Sequence, residues 1–273
     1  MSPSRGSILQ RTLLYVAAVL LALWVLVPIY FITLAAFSSQ EAVYRYPKNL
    51  VPQDMSTETM RFFLDSDGVV ESLERSVMVA ALTLAIALGV GTPAGYAIAR
   101  FGFRGADTFR LAIVSTRAFP IVILSIPLAV TYIRWGIDDS VLGTSLAHTA
   151  LALPFAVLVT SSVFAGISVE LEEAAMTLGC SRISAFRKVA LPLALPGLAA
   201  AAIFTFIISW NEVFAASILT LRNPTLPAQV LAVLNQSALP YRFAGGFFML
   251  APSLIVIFFI RKYLFNMWGR VVK

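Results

Sequence analysis

The sequence predicts an all-α, polytopic membrane protein with six transmembrane helices. Hydrophobic residues make up 59% of its 273 residues and charged residues only 12%, whereas a soluble domain carries about half apolar and about 25% charged residues. Six blocks each supply the roughly 20 apolar residues that a helix needs to cross the hydrocarbon core. They lie at residues 12–37, 76–99, 109–133, 142–167, 193–219 and 243–265. Continuous apolar blocks indicate helices, because lipid offers no partners to exposed backbone polar groups.

The first block follows two arginines and must be distinguished from a secretory signal. Its apolar stretch, residues 12–37, is much longer than the roughly 7–15 residues of a signal core, so we expect a retained span. Six spans place both termini on one side of the membrane. A cytoplasmic N-terminus puts 12 of the 20 lysines and arginines inside and seven outside, with Arg117 within a span. Cytoplasmic loops carry an excess of Lys and Arg, so both termini are predicted to be cytoplasmic.

The longest connection is the first outer loop, residues 38–75. It carries Tyr44 and Tyr46, a residue type that is enriched at membrane interfaces. Residues 56–64 are predicted to form a short surface helix. This face of the protein either meets a partner or is a solvated loop.

The second block carries a stripe of small residues. Ala87, Gly91, Gly95 and Ala99 recur at four-residue spacing, so they share one helix face. Small side chains permit close approach of a neighbouring helix within a membrane. We therefore expect this face to be a tight helix–helix contact.

The third block contains a positively charged residue. Arg117 lies within it, followed by Pro120 and Pro127. A cation at the centre of a span costs at least about 2.5–3.5 kcal/mol, so it usually faces a polar interior. Arg117 therefore borders a solute path or, alternatively, pairs structurally or reaches the lipid headgroups.

A polar island at residues 168–192 separates the fourth and fifth blocks. Residues 170–178 are good helix formers with acidic residues in the first turn, where the helix dipole favours negative charge. Gly179 lies where a helix would end in a left-handed conformation. Ser181 or Ser184 is positioned to cap a second helix, and Pro192 marks the start of the next span.

The fifth block contains the sequence Ser209-Trp210-Asn211-Glu212. A carboxylate within a span is a second costly group. Trp210 and Asn211 offer a stacking face and polar contacts to a sugar, and together with Glu212 and Arg117 they are candidates for a translocation path. For Trp210 and Asn211 the alternative, that they fix helix packing against a partner, is favoured.

Several classes of function are disfavoured by the residues. The one cysteine, Cys180, allows no intrachain disulfide or cysteine metal cluster, and the one histidine, His148, is expected to be packed or hydrogen-bonded rather than a ligand. No phosphate-cradling Gly-x-x-x-x-Gly-Lys-Ser/Thr run is present. The chain is therefore predicted to bind no cofactor, no metal and no nucleic acid, the net charge of +6 being explained by loop topology.

The spacing within the polar island resembles the EAA loop of ABC importer permeases, the membrane subunits that a separate ATPase drives. The residues that carry this resemblance are Glu173, Ala174, Ala175, Gly179, Val189, Leu191 and Pro192. In that family the loop forms a helix, a glycine turn and a second helix, and it docks in a cleft on the ATPase. The resemblance implies the fold of a type I importer permease, with residues 1–273 as one transmembrane domain and 168–192 as its cytoplasmic coupling loop.

Two further segments narrow the resemblance to the maltose-type carbohydrate permeases: residues 95–105 and residues 209–212. That family implies a second permease, an ATPase dimer that binds ATP and Mg²⁺, and an extracytoplasmic solute-binding protein. It also implies a sugar-like substrate and the cytoplasmic membrane of a bacterium or archaeon. The C-terminal tail, with Met267-Trp268-Gly269-Arg270, departs from the family pattern, so no tail contacts are expected from it.

An ion-coupled secondary transporter of a small polar solute is the alternative function. Arg117, Glu212 and the prolines of the third block would suit discontinuous helices around a central site. That alternative leaves the spacing at 173–192 unexplained, and the two halves of the chain show no obvious repeat. A membrane enzyme would need a nucleophile–base pair, and all four lysines lie outside the spans.

Overall fold

The computed structural model describes residues 5–51 and 55–268, and their side chains at 10–51 and 55–259. The described residues form helices joined by turns and loops. The helices are α1 (Arg5–Ala36), α2 (Gln40–Tyr44), α3 (Glu58–Leu64), α4 (Val69–Arg100), α5 (Ala106–Ser115), α6 (Ile121–Trp135), α7 (Val141–Ala165), α8 (Val169–Thr177), α9 (Arg182–Ala185), α10 (Leu191–Trp210), α11 (Phe214–Leu219), α12 (Leu226–Val233) and α13 (Leu239–Trp268). The predicted tail residues Gly269 and Arg270 lie outside the described residues.

Within the described residues, five helical segments are long and apolar enough to cross a membrane. They are Gln10–Ala36, Val69–Arg100, Val141–Ala165, Arg182–Trp210 and Leu239–Phe259. A bent pair, Ala106–Ala118 with Ile121–Trp135, makes a sixth span if it is counted as one. The all-α, multi-pass architecture is thus confirmed.

The third block is broken, so the prediction of one continuous helix over residues 109–133 is wrong. Its two halves meet at 87°. Phe119 is extended (φ −84°, ψ 118°) and Pro120 follows it (φ −62°, ψ 124°). The physical reason is that a proline disfavours the α conformation of the residue before it. Pro127, by contrast, lies inside α6.

The fifth block also differs from its prediction. The helix ends at Trp210 rather than at residue 219, and after Asn211–Val213 the short helix α11 begins. At its other end, Pro192 lies in the first turn of α10 as predicted, but it does not separate the span from the preceding segment, since Arg182–Trp210 is continuous. One π-helical turn, Phe186–Ala190, ends two residues before the proline. The ring of Pro192 would clash with the carbonyl four residues earlier in a regular α-helix.

Close packing of α4 on α7 confirms the prediction for the small-residue stripe. A Cβ added at Gly95 would lie 2.7 Å from the backbone nitrogen of Ser161, and one at Gly91 would lie 3.1 Å from the Cβ of Ala156. The hydroxyl of Thr160 on α7 donates to the Gly91 carbonyl at 2.9 Å. The absence of side chains at Gly91 and Gly95 therefore lets α7 approach closely enough for the Thr160 hydroxyl to reach the backbone of α4.

The chain forms two compact units, Met1–Asp67 with Leu234–Phe248, and Gly68–Val233 with Met249–Lys273. The smaller unit includes the predicted surface helix, which the structure places at Glu58–Leu64. Its buried Phe63 contacts the rings of Tyr241 and Phe248 at 4.8 and 5.4 Å. The larger unit contains α4 to α12, and the helices that carry the candidate sites belong to it. That residues 1–273 act as one domain stays a prediction.

Candidate coupling loop and intramembrane site

The polar island folds as two helical arms around a glycine, as its sequence predicts. The Ser168 hydroxyl accepts a hydrogen bond from the Glu170 amide at the start of α8, and the Ser181 hydroxyl accepts one from the Ser184 amide at the start of α9, each at 3.3 Å. Both serines act as N-caps, satisfying amides that have no partner within the helix. Of the two serines proposed to cap the second arm, Ser181 is therefore the cap.

Gly179 produces the turn between the arms. Its φ of +92° lies in the region that side chains disfavour. The amide of Gly179 donates to the Met176 carbonyl, and the amide of Cys180 donates to the Ala175 carbonyl, both at 3.0 Å. This pair of bonds is a Schellman motif, which satisfies the last carbonyls of α8 and reverses the chain.

The outer surface of the loop presents apolar side chains together with acids. The exposed fraction is 87% for Leu178 and 67% for Ile183. Glu173 and Ala174 are exposed beside them. Large apolar side chains that are exposed on a polar connection are typical of a protein-binding surface.

The remaining residues of the predicted coupling set lie around the turn and the start of α10. Ala175, Val189 and Leu191 are half-buried, and Pro192 is exposed. The structure therefore brings the predicted residues into one loop, but it divides them between an exposed outer surface and a packed inner one.

The inner surface of the loop carries an ion pair that the sequence did not reveal. Glu172 is 4% exposed, and its two carboxylate oxygens accept hydrogen bonds from Tyr96 Oη at 2.5 Å and Arg100 Nε at 2.7 Å. The terminal nitrogens of Arg100 donate to the carbonyls of Phe164 and Ile167 at 2.8 and 3.0 Å. Tyr96 and Arg100 belong to the basic turn at residues 95–105, and their carboxylate partner lies 72 to 76 residues further along the chain.

The second arm is held by an aromatic cluster. Phe186 lies with its ring centroid 4.5 Å from that of Tyr96 and 5.9 Å from that of Phe164. Tyr96 and Phe164 also meet edge to face at 5.3 Å. Burial of these rings, together with Ala190, Ala194 and Leu198, fixes the second arm against α4 and α7.

Arg117 lies at the bend of the broken span, in the single 3₁₀ turn Thr116–Ala118. Its side chain is exposed, and within the described part of the chain it makes no hydrogen bond or ion pair. The structure therefore does not pair Arg117 with Glu212, the other charged residue among the candidates for the translocation path. Both interpretations of Arg117, solute path or headgroup contact, stay open.

The motif at residues 209–212 forms the junction between α10 and α11. Trp210 is 2% exposed, its indole nitrogen donates to the Met249 carbonyl at 2.9 Å, and its ring stacks on Phe206. Asn211 is exposed and donates to the Ile207 carbonyl in the turn before it. Trp210 thus contributes packing within this chain, and Asn211 is the member of the motif whose side chain reaches the surface.

Glu212 caps the short helix that follows. Its carboxylate, 8% exposed, accepts hydrogen bonds from the amides of Ala215 and Ala216, each at 2.9 Å. Its Oε2 also lies 3.4 Å from His148 Nε2, which is longer than a well-formed hydrogen bond. His148 Nδ1 is 2.9 Å from the Ser209 hydroxyl, so the prediction that His148 is packed and hydrogen-bonded is confirmed.

Comparison with known proteins places these features in a family context. Residues 91–267 match the family described as the inner membrane component of binding-protein-dependent transport systems. An ABC transporter permease protein of Streptomyces antibioticus is 32% identical over 217 residues, covering 78% of this chain and 94% of that protein. The permease protein of the trehalose transport system of Mycobacterium tuberculosis is 34% identical over 181 residues, covering 66% of each chain.

A solved structure shares the fold. A chain of a bacterial ABC transporter involved in the import of the acidic polysaccharide alginate superposes with a TM-score of 0.74, covering 96% of this chain and 99% of that one. The two sequences are 23% identical. At that identity the likeness concerns the fold alone.

Proposed function

This chain belongs to the family of inner membrane components of binding-protein-dependent transport systems, and on that basis we propose that it imports a sugar or a related polyol or glycoside. It is a multi-pass permease subunit of an ATP-driven ABC importer, not an enzyme. The carbohydrate class is supported by the trehalose permease among its relatives. The family match supports this function over the alternative, an ion-coupled secondary transporter, which leaves the polar loop unexplained.

The loop at residues 168–192 is the observation that supports the proposed mechanism best. It is a capped, reversed pair of helical arms with exposed Leu178 and Ile183. We propose that this outer surface docks in a cleft of the ATPase, which places the loop and both termini in the cytoplasm. Glu173 adds a charge at the edge of the apolar surface, where a rim charge favours the correct partner.

The working assembly would contain this chain, a second permease and two ATPase subunits, with a solute-binding protein on the outer side. ATP and Mg²⁺ would be held by the ATPase subunits. Their closure on ATP would carry the docked loops inward and open the permeases outward, so that solute passes from the binding protein. Hydrolysis would restore the inward-facing state.

Within the membrane, the exposed side chains of Arg117 and Asn211 are the candidates for contact with solute. Trp210 and Glu212 would shape the path indirectly, since their side chains hold the junction between α10 and α11. An arginine in the path would repel a cationic solute, which is one reason to favour a neutral or anionic one.

The first test is a pull-down of the tagged chain from its native membranes in mild detergent. A Gly179→Pro variant should break the turn of the loop, because proline requires a φ near −65°. Gly105→Pro is the matched control, since Gly105 also has a positive φ (+90°) and open space around it but lies in another turn.

We expect the wild type and the control to bring down a second permease and an ATPase with a phosphate-binding loop. The Gly179→Pro variant should still bring down the second permease but should no longer bring down the ATPase. A wild-type chain that comes out without any ATPase would contradict the ATP-driven mechanism.

The substrate class is tested separately. The solute-binding protein that copurifies after crosslinking of intact cells would be isolated, and its bound ligand would be identified by mass spectrometry. A sugar, polyol or glycoside supports the proposal. A polyamine or an amino acid would contradict the carbohydrate class while leaving the assembly intact.

A further inference from the structure

We propose that Arg100, together with Tyr96, is the residue pair that transmits the movement of the coupling loop to the helices of the membrane domain. On this proposal the outer surface of the loop binds the ATPase, and the inner surface carries the motion. The inference rests on the proposed function, and it assigns a role to residues outside the predicted coupling set.

The guanidinium of Arg100 joins three elements at one point. It extends from the last turn of α4, pairs with Glu172 on α8 and donates to the carbonyls of Phe164 and Ile167 at the end of α7. Those carbonyls lie where a helix runs out of internal partners and carries partial negative charge. A different nitrogen of the planar guanidinium meets each of the three acceptors, whereas a lysine has a single nitrogen with which to donate.

Tyr96 lies one turn before Arg100 on α4, so the two side chains share a helix face. Its hydroxyl donates to Glu172 on the first arm, and its ring packs against Phe186 on the second arm. A single turn of α4 therefore contacts both arms of the loop. We call this pair of residues, Tyr96 and Arg100, the clamp. Displacement of either arm would press directly on that helix.

Two adjacent glutamates lie on different surfaces of the loop. Glu172 is buried with both oxygens occupied, whereas Glu173 is exposed and makes no hydrogen bond or ion pair within the described residues. A helix turns by about 100° per residue, which directs neighbouring side chains to different faces. The two functions can thus be perturbed one at a time.

The contact between α4 and α7 next to Tyr96 and Arg100 is closely packed. Five residues before Tyr96, the Gly91 carbonyl accepts the interhelical bond from Thr160 on α7, and at Gly95 the two helices approach too closely to admit a side chain. Interiors packed this closely shift as units and transmit strain. We therefore expect movement received at Arg100 and Tyr96 to displace α4 and α7 together.

The test uses the complete complex purified through this chain, with hydrogen exchange measured without nucleotide and with ATP plus vanadate. Arg100→Met keeps the apolar stem and removes the fork. Arg104→Met is the matched control, because Arg104 lies in the same turn, is exposed and has no partner among the described residues. Because a lone buried Glu172 would destabilise the fold, the double variant Arg100→Met with Glu172→Met removes both charges.

In the wild type and in Arg104→Met we expect nucleotide to change the exchange of the loop and of α4 and α7. In Arg100→Met and in the double variant the ATPase should still copurify and the loop should still respond, but the response of α4 and α7 should be lost. Tyr96→Phe, which keeps the ring and loses the hydroxyl, should show a partial loss.

A response of α4 and α7 that persists in the double variant would overturn the proposal. Loss of the ATPase from the double variant would overturn it too, because the clamp would then be part of the docking surface. A wild-type complex without an ATPase, or without any response to nucleotide, would instead contradict the proposed function, so the two failures are distinguishable.

Discussion

Replacing Gly95 with alanine should separate α4 from α7. The added carbon would meet the hydroxyl of Thr160 and lie 2.7 Å from the backbone nitrogen of Ser161. Neither atom can yield easily, because the hydroxyl is held by the carbonyls of Gly91 and Ala156 at 2.9 and 2.8 Å and the other atom is backbone. The two helices must therefore move apart.

The size of the effect follows from three terms. Overfilling a packed contact costs typically about 1–3 kcal/mol, and loss of the interhelical bond from Thr160 to Gly91 costs about 1 kcal/mol more. Alanine recovers about 1 kcal/mol through its higher helix propensity. We expect a net decrease of about 1–3 kcal/mol in the free energy of unfolding.

Two other glycines of α4 provide internal controls. A Cβ at Gly91 would lie 3.1 Å from that of Ala156, which a small adjustment relieves, and a Cβ at Gly89 would have nothing within 4 Å. Gly91→Ala should be nearly neutral, and Gly89→Ala neutral or stabilising by up to about 1 kcal/mol. The assay is an equilibrium SDS titration of the chain in mixed micelles. Equal stability of Gly95→Ala and Gly89→Ala would refute the reasoning.

Three further predictions concern other parts of the larger unit. Glu212→Ala removes the acceptor for two buried amides and should lower the free energy of unfolding by about 1–3 kcal/mol. Glu212→Gln should lower the free energy of unfolding less. Equal losses for the two variants in the same SDS titration would contradict the capping role. Asp139→Ala frees two backbone amides of the loop at 222–223, so protease cleavage there should accelerate, whereas Asp138→Ala, whose carboxylate contacts that loop only at 4.0 Å, should leave the cleavage rate unchanged. Serine at both Leu178 and Ile183, which are exposed, should change stability by no more than about 0.5 kcal/mol yet lose the ATPase in the pull-down, and retention of the ATPase would exclude this surface as the dock.

Local chemistry made part of the structure predictable from sequence. Gly179 follows a run of helix formers, and a left-handed residue at a helix end is most easily a glycine, so its φ of +92° was foreseeable. The spacing of Gly91 and Gly95 likewise indicated the contact of α4 with a neighbour, because four-residue spacing puts small residues on one face.

Other features depend on partners that are distant in sequence. The carboxylate of Glu172 lies 72 residues from Arg100 along the chain, and nothing near either residue indicates which acid the arginine meets. The turn from 95 to 105 and the loop from 168 to 192 were each recognised, but not their contact. The bend at Pro120 was underestimated for a different reason, since a proline can be accommodated inside a span, as Pro127 is in α6.

The junction after Trp210 illustrates a second limit. Hydropathy continues to residue 219, so the block looks like one helix, yet the chain breaks at Asn211 and Glu212 caps the next helix. A carboxylate in an apolar block indicates a special position, but only the folded chain shows that the amides of Ala215 and Ala216 are its partners.

The most direct test of the central claim is photo-crosslinking from the loop in intact native membranes. A photoreactive residue would replace Leu178 in one variant and Leu221 in another. The two leucines are 87% and 80% exposed, but they lie in loops predicted to face opposite sides of the membrane. We expect the adduct from position 178 to contain the ATPase subunit and the adduct from position 221 to lack it. An ATPase adduct from position 221, or none from position 178 in a complex that contains the ATPase, would contradict the assignment of residues 168–192 as the coupling loop.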